Sequence, residues 1–198
     1  DSSNNSLFEK AIHPNFNPLL LGNNSFHQDY SKIIESLLEI YPQAKGFRSH
    51  SQTTNTPILD TIKSKGLIYE CNVFLPYSTK IEIYKLWNGL IRIPYNWEDD
   101  LHYNYGYNFV DSKIKISNKN INIFDFHPIH VYLNTEKKER YYAAKPFYLY
   151  PNKLKEYQNN TKIPGTRNLL IDLLSFVKNI QLNSYTLIEL SNQFKVKE

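Results

Sequence analysis

Four short stretches of apolar and β-branched residues, at 44–48, 67–71, 90–94 and 121–126, alternate with segments of helical periodicity, and this alternation most constrains the fold. Residues 29–41 place Ile33, Ile34, Leu37, Leu38 and Tyr41 on one helical face, with Asp29 as N-cap and Pro42 as the stop. A second helix is expected from Thr56 as N-cap, with Pro57 in its first turn and Gly66 as a left-handed C-cap. Two more are expected over 166–180 and 186–194, the last opened by the capping box Thr186-Leu187-Ile188-Glu189. Residues 8–12 read as an extended piece and 13–28 as loop. The stretch from 72 to 120, with Trp87, Trp97 and many tyrosines, reads as long loops over the strand ends. Helices alternating with strands imply an α/β protein with a parallel sheet. A chain of 198 residues implies one domain spanning 1–198.

The histidines give this scaffold its chemistry. His13 sits in Ile12-His13-Pro14-Asn15-Phe16-Asn17-Pro18 and His50 in Arg48-Ser49-His50-Ser51. His127 and His130 sit in Phe126-His127-Pro128-Ile129-His130. Each follows a strand-like stretch and precedes a polar turn, and α/β proteins collect their reactive groups at that end of the strands. Neutral imidazole is a common metal ligand and titrates near neutrality. His127 and His130 would point to opposite faces of a continued strand, so they share a site only if Pro128 breaks it. Trp87 and Trp97 read as core or cleft wall, His102 as surface loop and His27 as the entry to the 29–41 helix.

Composition excludes several classes. The net charge of +4 is scattered, which argues against nucleic acid as a partner. No apolar stretch approaches the ~20 residues of a membrane span. A single cysteine, Cys71, excludes an intrachain disulfide and a Cys-rich zinc site, and favours a reducing compartment, the cytoplasm. Cys71 reads as a small buried hydrophobe. Sixteen tyrosines suit a polar groove such as a sugar cleft, although most are expected to be ordinary core and surface residues.

Taken in order, several segments resemble the polysaccharide deacetylase (NodB-homology) superfamily, in its WbmS-like branch. The matching pieces are Ile12–Leu20, Arg48-Ser49-His50-Ser51, Tyr69-Glu70-Cys71-Asn72, Leu86–Asp100, Phe126–Thr135 and Gly165-Thr166-Arg167. The resemblance implies a distorted (β/α)7 barrel, here without the first βαβ unit and the Asp-Asp pair it would carry. It implies a hydrolase that removes acetyl groups from a carbohydrate substrate with a divalent metal, zinc being the expected ion. His13 resembles the first metal histidine; Asn17 stands where the second would be, and His50 is its best substitute. Arg48 resembles the arginine that braces the catalytic base, and His127 the late histidine acid. Asp99 and Asp100 would contact substrate or hold Arg48, unless they form a solvated turn. Trp97 and His130 are the expected substrate contacts. Two other functions stay open: an inactive carbohydrate-binding or scaffold homologue, and an allantoinase-like hydrolase of linear amides.

Overall fold

A computed structural model describes residues 8–22, 29–109, 116 and 120–197, with no account of the side chains of 195–197. His27 lies outside the described residues. The chain forms two compact units, one from Asp1–Phe74, Glu82–Pro94 and Ser184–Glu198, the other from Leu75–Ile81 and Tyr95–Asn183.

The first unit is built on an open sheet of β1 (Gly46–Phe47), β2 (Tyr69–Glu70), β4 (Ile91–Arg92) and β3 (Tyr84–Lys85), in that spatial order. The first three strands are parallel, as the alternation of elements requires. Strand β3 is antiparallel and closes the β4 edge. Both of its residues are exposed, so no burial pattern marked it in the sequence. Ile12 adds a parallel bridge to Phe47 beyond β1, which fixes the expected extended piece against the sheet. Gly46 is required there: a Cβ would lie 2.0 Å from the Tyr69 ring.

Helices α1 (Asn17–Leu20), α2 (Tyr30–Ile40) and α3 (Thr56–Ser64) belong to the same unit. Asp29 caps α2 by accepting from the Lys32 amide at 2.9 Å, as expected. The α3 cap is Asn55, one residue before the expected Thr56, and its side chain accepts from the Ile58 amide at 2.8 Å. Gly66 is left-handed, with φ of 85°. The core joins Ile34 of α2 and Ile58, Leu59 and Ile62 of α3 to Ile12, Phe16, Phe47, Leu67 and Leu90. The capping box holds too: the Thr186 amide donates to Glu189 Oε2 at 2.7 Å, ahead of α9 (Leu187–Lys197).

In the second unit, β5 (Trp97–Glu98) and β6 (Phe124–Asp125) form a separate parallel pair. Around them lie α4 (Asp99–Asn104), α5 (Pro128–Leu133), α6 (Lys138–Ala144), α7 (Pro151–Lys155) and α8 (Thr166–Asn179). Much of the stretch expected to be loop is therefore ordered. Trp97, Tyr103, Phe109 and Leu169 form a core. Leu133, Ala144 and Leu154 form a second one. Asn134, left-handed after α5, links α5 to α8: its Oδ1 accepts from the Arg167 amide at 3.1 Å. The architecture is mixed α/β, and the described residues form no closed barrel. Where a barrel would continue from β4 with another parallel strand, antiparallel β3 occupies the edge.

Candidate active site

The first unit brings together the two histidines expected to bind metal. The Ile12 amide donates to the Gly46 carbonyl, and the Arg48 amide to the Ile12 carbonyl, each at 3.1 Å. The His50 amide donates to the Pro14 carbonyl at 2.8 Å. These bonds zip the two histidine segments side by side, leaving His13 and His50 exposed with ring centroids 5.8 Å apart, edge to face. Imidazoles bound to one ion at about 2.1 Å, at a tetrahedral angle, would have centroids roughly 5 Å apart. The observed separation is close to that value. Asn17 opens α1, and its Nδ2 donates to Ser51 Oγ at 3.4 Å. Arg48 is half-buried at the end of β1.

A buried polar chain underlies the His50 turn. Glu70 and Arg92 are directly opposite in the parallel ladder and so face the same way. They form an ion pair through Arg92 Nε, with Glu70 fully buried. Glu70 Oε2 accepts from Asn72 N at 2.9 Å and Asn72 Nδ2 at 2.8 Å. Asn72 Oδ1 in turn accepts from the Ser49 amide at 2.8 Å. The next turn, His50–Gln52, contains two consecutive left-handed non-glycine residues, Ser51 (φ 54°) and Gln52 (φ 56°). Each such residue costs about 1–2 kcal/mol, so the surrounding bonds must hold this shape. Sequence reasoning gave Glu70, Asn72 and Arg92 no role. A charged residue in an apolar strand was the available signal.

The second unit places Asp99, His127 and His130 together. Asp99 is the first residue of α4 and is fully buried, which rules out the solvated turn. Its Oδ1 contacts His127 Nδ1 at 2.6 Å, and its Oδ2 accepts from the His127 amide at 2.9 Å. Pro128 ends the strand and starts α5, so His127 becomes the N-cap and His130 lies three residues on along a helix. Their ring centroids are 5.6 Å apart. His130 is buried, with Nε2 3.2 Å from the Tyr103 hydroxyl and Nδ1 3.2 Å from Thr135 Oγ1. Trp97 is 2% exposed and packs on Phe126 at 4.8 Å between centroids, so its side chain is core. His102, expected on the surface, is fully buried: its Nδ1 meets the Tyr77 hydroxyl at 3.1 Å and its Nε2 the Asn108 carbonyl at 3.0 Å. Trp87, read as core or cleft wall, is 63% exposed.

Burial raises Asp99 to about 6, despite the opposing attraction of His127. Burial alone would lower His127, but the Asp99 carboxylate, helped by Asp125 and Asp100, lifts it to about 9. His130 is pushed down to about 4 by burial and by its charged neighbour His127. Glu98 rises to about 8 through burial and the Asp100 and Asp125 carboxyls. Near neutral pH this gives a cationic His127 held by a buried carboxylate, beside a neutral His130.

Two sets in this unit bring ligand atoms within 4.8 Å of one another: Asp99 with His127 and His130, and Glu98 with Asp125 and His127. In the first set, both His130 nitrogens meet protein partners and His127 Nδ1 is committed to Asp99. That set suits proton handling better than an ion. The second set offers two carboxylates and His127 Nε2, which is 3.9 Å from Asp125 Oδ2.

The segments that supply both clusters are those of a known family, whose model matches residues 1–145. The chain belongs to the WbmS-like polysaccharide deacetylase family. It is thereby a deacetylase by descent. A crystal structure from Bordetella bronchiseptica, that of WbmS, bears a name for polysaccharide deacetylation in O-antigen biosynthesis. It is 36% identical with a TM-score of 0.78, covering 87% of this chain and 71% of that one. No curated protein matches. Among the described residues of this WbmS-like deacetylase, no helix is long and apolar enough to cross a membrane.

Proposed function

We propose that this WbmS-like deacetylase is a metal-dependent hydrolase that removes an acetyl group from a sugar of a bacterial surface polysaccharide or its precursor. Family membership and the name of the 36% identical structure support the substrate class. The observation that carries the chemistry is the buried Asp99 carboxylate holding the His127 imidazole.

Hydrolysis of an acetamide breaks the C–N bond, adds water and releases acetate and an amine. The departing nitrogen needs a proton. His127, raised to about 9, carries one near neutral pH. With Nδ1 committed to Asp99, Nε2 is the atom that donates it. Asp99 fixes the ring and stabilises its cationic form. His130 supports the His127 ring from the side at 5.6 Å.

His13 and His50, with the Asn17 carbonyl as a weaker third donor, are the proposed holders of a divalent ion. Imidazole donors suit zinc. When bound, such an ion would lower the pKa of a coordinated water. The Arg48 amide, bonded to the Ile12 carbonyl, and the Glu70–Asn72–Ser49 chain fix the backbone that carries His50. The buried Cys71 fits a reducing compartment, and the reaction is assigned to the cytoplasm on that ground.

The test combines elemental analysis with acetate release from N-acetylated sugars. His13→Ala is expected to lose bound metal, and His127→Ala to keep it while turning over slowly. Metal retained by His13→Ala but lost from Asp125→Ala would move the ion to the Glu98, Asp125 and His127 set. A wild type that takes up no divalent ion when one is offered, and releases no acetate, would refute the metal-dependent deacetylase reading.

A further inference from the structure

From His127 a continuous series of rings extends along the second unit. His127 neighbours His130 at 5.6 Å, and His130 neighbours Tyr141 at 4.7 Å. Tyr141 in turn meets Tyr142 at 5.4 Å and Tyr148 at 6.0 Å. The Lys145 ammonium lies 5.8 Å from the Tyr141 ring centroid. The series starts at a partly open imidazole, passes a buried one and emerges at the surface, where Tyr142 is 58% and Tyr148 37% exposed. Leu149 and Tyr150, the next two residues, are 88% and 64% exposed. Four exposed large hydrophobic side chains thus fall within the nine residues 142–150.

We infer that Tyr141, Tyr142 and Tyr148 form a stacking subsite for the sugar units beside the one being deacetylated. This inference rests on the deacetylase reading above and adds a polymer-binding element to it. A pyranose has a flat face of C–H groups and a rim of hydroxyls. Tyrosine matches it with an apolar ring and a polar tip. A lipid or a protein core would call for aliphatic side chains, and here aromatic rings dominate. A second copy of the chain is a poor occupant. A whole aromatic side chain buries about 150–250 Å², so this part-exposed face falls short of the roughly 800 Å² per partner of a stable interface.

The experiment titrates the full chain with the β-1,4-linked N-acetylglucosamine tetrasaccharide and with N-acetylglucosamine, by calorimetry. Wild type is expected to bind the tetrasaccharide about tenfold more tightly than the monosaccharide. In the Tyr142→Ala/Tyr148→Ala variant that preference is expected to vanish, while acetate release from the monosaccharide stays unchanged. Tyr142→Phe/Tyr148→Phe, which keeps the rings and the fold, is expected to retain most of the preference. A preference that survives the alanine variant overturns the inference, as does equal binding or no binding of the two sugars by wild type. Sedimentation showing a dimer that the alanine variant loses would give the face to a second copy, and would also overturn it. The deacetylase reading fails on a different measurement: no acetate released from any N-acetylated sugar by the metal-loaded chain.

Discussion

The Asp99–His127 contact sets the pH range in which a proton can be delivered, and Asp99→Asn tests this directly. Asparagine keeps the size of the side chain and removes its charge. The buried carboxylate is the main reason His127 rises from 6.5 to about 9. Without it, burial acts in the lowering direction against the weaker pull of Asp125 and Asp100, so His127 should return to about 6.5 or below. At pH 8 a group of pKa 9 is roughly 90% protonated, and one of pKa 6.5 roughly 3%. The protonated fraction therefore falls about 30-fold, and kcat at that pH should fall, by less than that factor because the imidazolium that remains is the stronger acid. Below pH 6 the difference should narrow, because His127 is then protonated in both proteins. Two measurements check this: the pH profile of acetate release, and proton NMR titration of the His127 ring, which needs no turnover. An alkaline limb that stays near pH 9 in Asp99→Asn would refute the argument.

Two further outcomes follow from the buried charges. His130 binds a proton at about 4 in the folded protein and at 6.5 when unfolded, so stability is full above 6.5 and is lost as pH falls through that window towards 4. The shift corresponds to about 3 kcal/mol, and thermal melts of His130→Gln should show a flatter acid dependence than wild type. Arg92→Met should cost about 3–5 kcal/mol in denaturant unfolding, because it strands the buried Glu70 carboxylate. A cost near zero would mean that water or another cation already serves Glu70.

The sequence was most legible where local chemistry and tertiary packing agree. Asp29, Gly66 and the Thr186–Glu189 box act locally, and each appears as expected. The parallel order of β1, β2 and β4 followed from the alternation of elements. Legibility failed where contacts are long-range. Asn72 and Ser49 are 23 residues apart, and no periodicity links them. Asp99 and His127 are 28 apart and meet because β5 and β6 pair. Helices α4 and α5 were missed although both had starting signals: Asp99 and Asp100 in the first turn of α4, and Pro128 at the first position of α5. His102 was misplaced, and Trp97 left open between core and cleft wall, for a common reason: an aromatic or imidazole ring in a tyrosine-rich stretch gives no hint of whether other rings will cover it.

The left-handed pair at Ser51 and Gln52 sets thermal robustness against precision at this corner of the molecule. Glycine at either position would adopt the same backbone angles without steric penalty, so a screen for heat tolerance would be drawn there early. The neighbouring imidazole would then ride on a hinge with many more accessible shapes. Laboratory evolution of a sturdier variant would do better in the helices, leaving this awkward corner untouched.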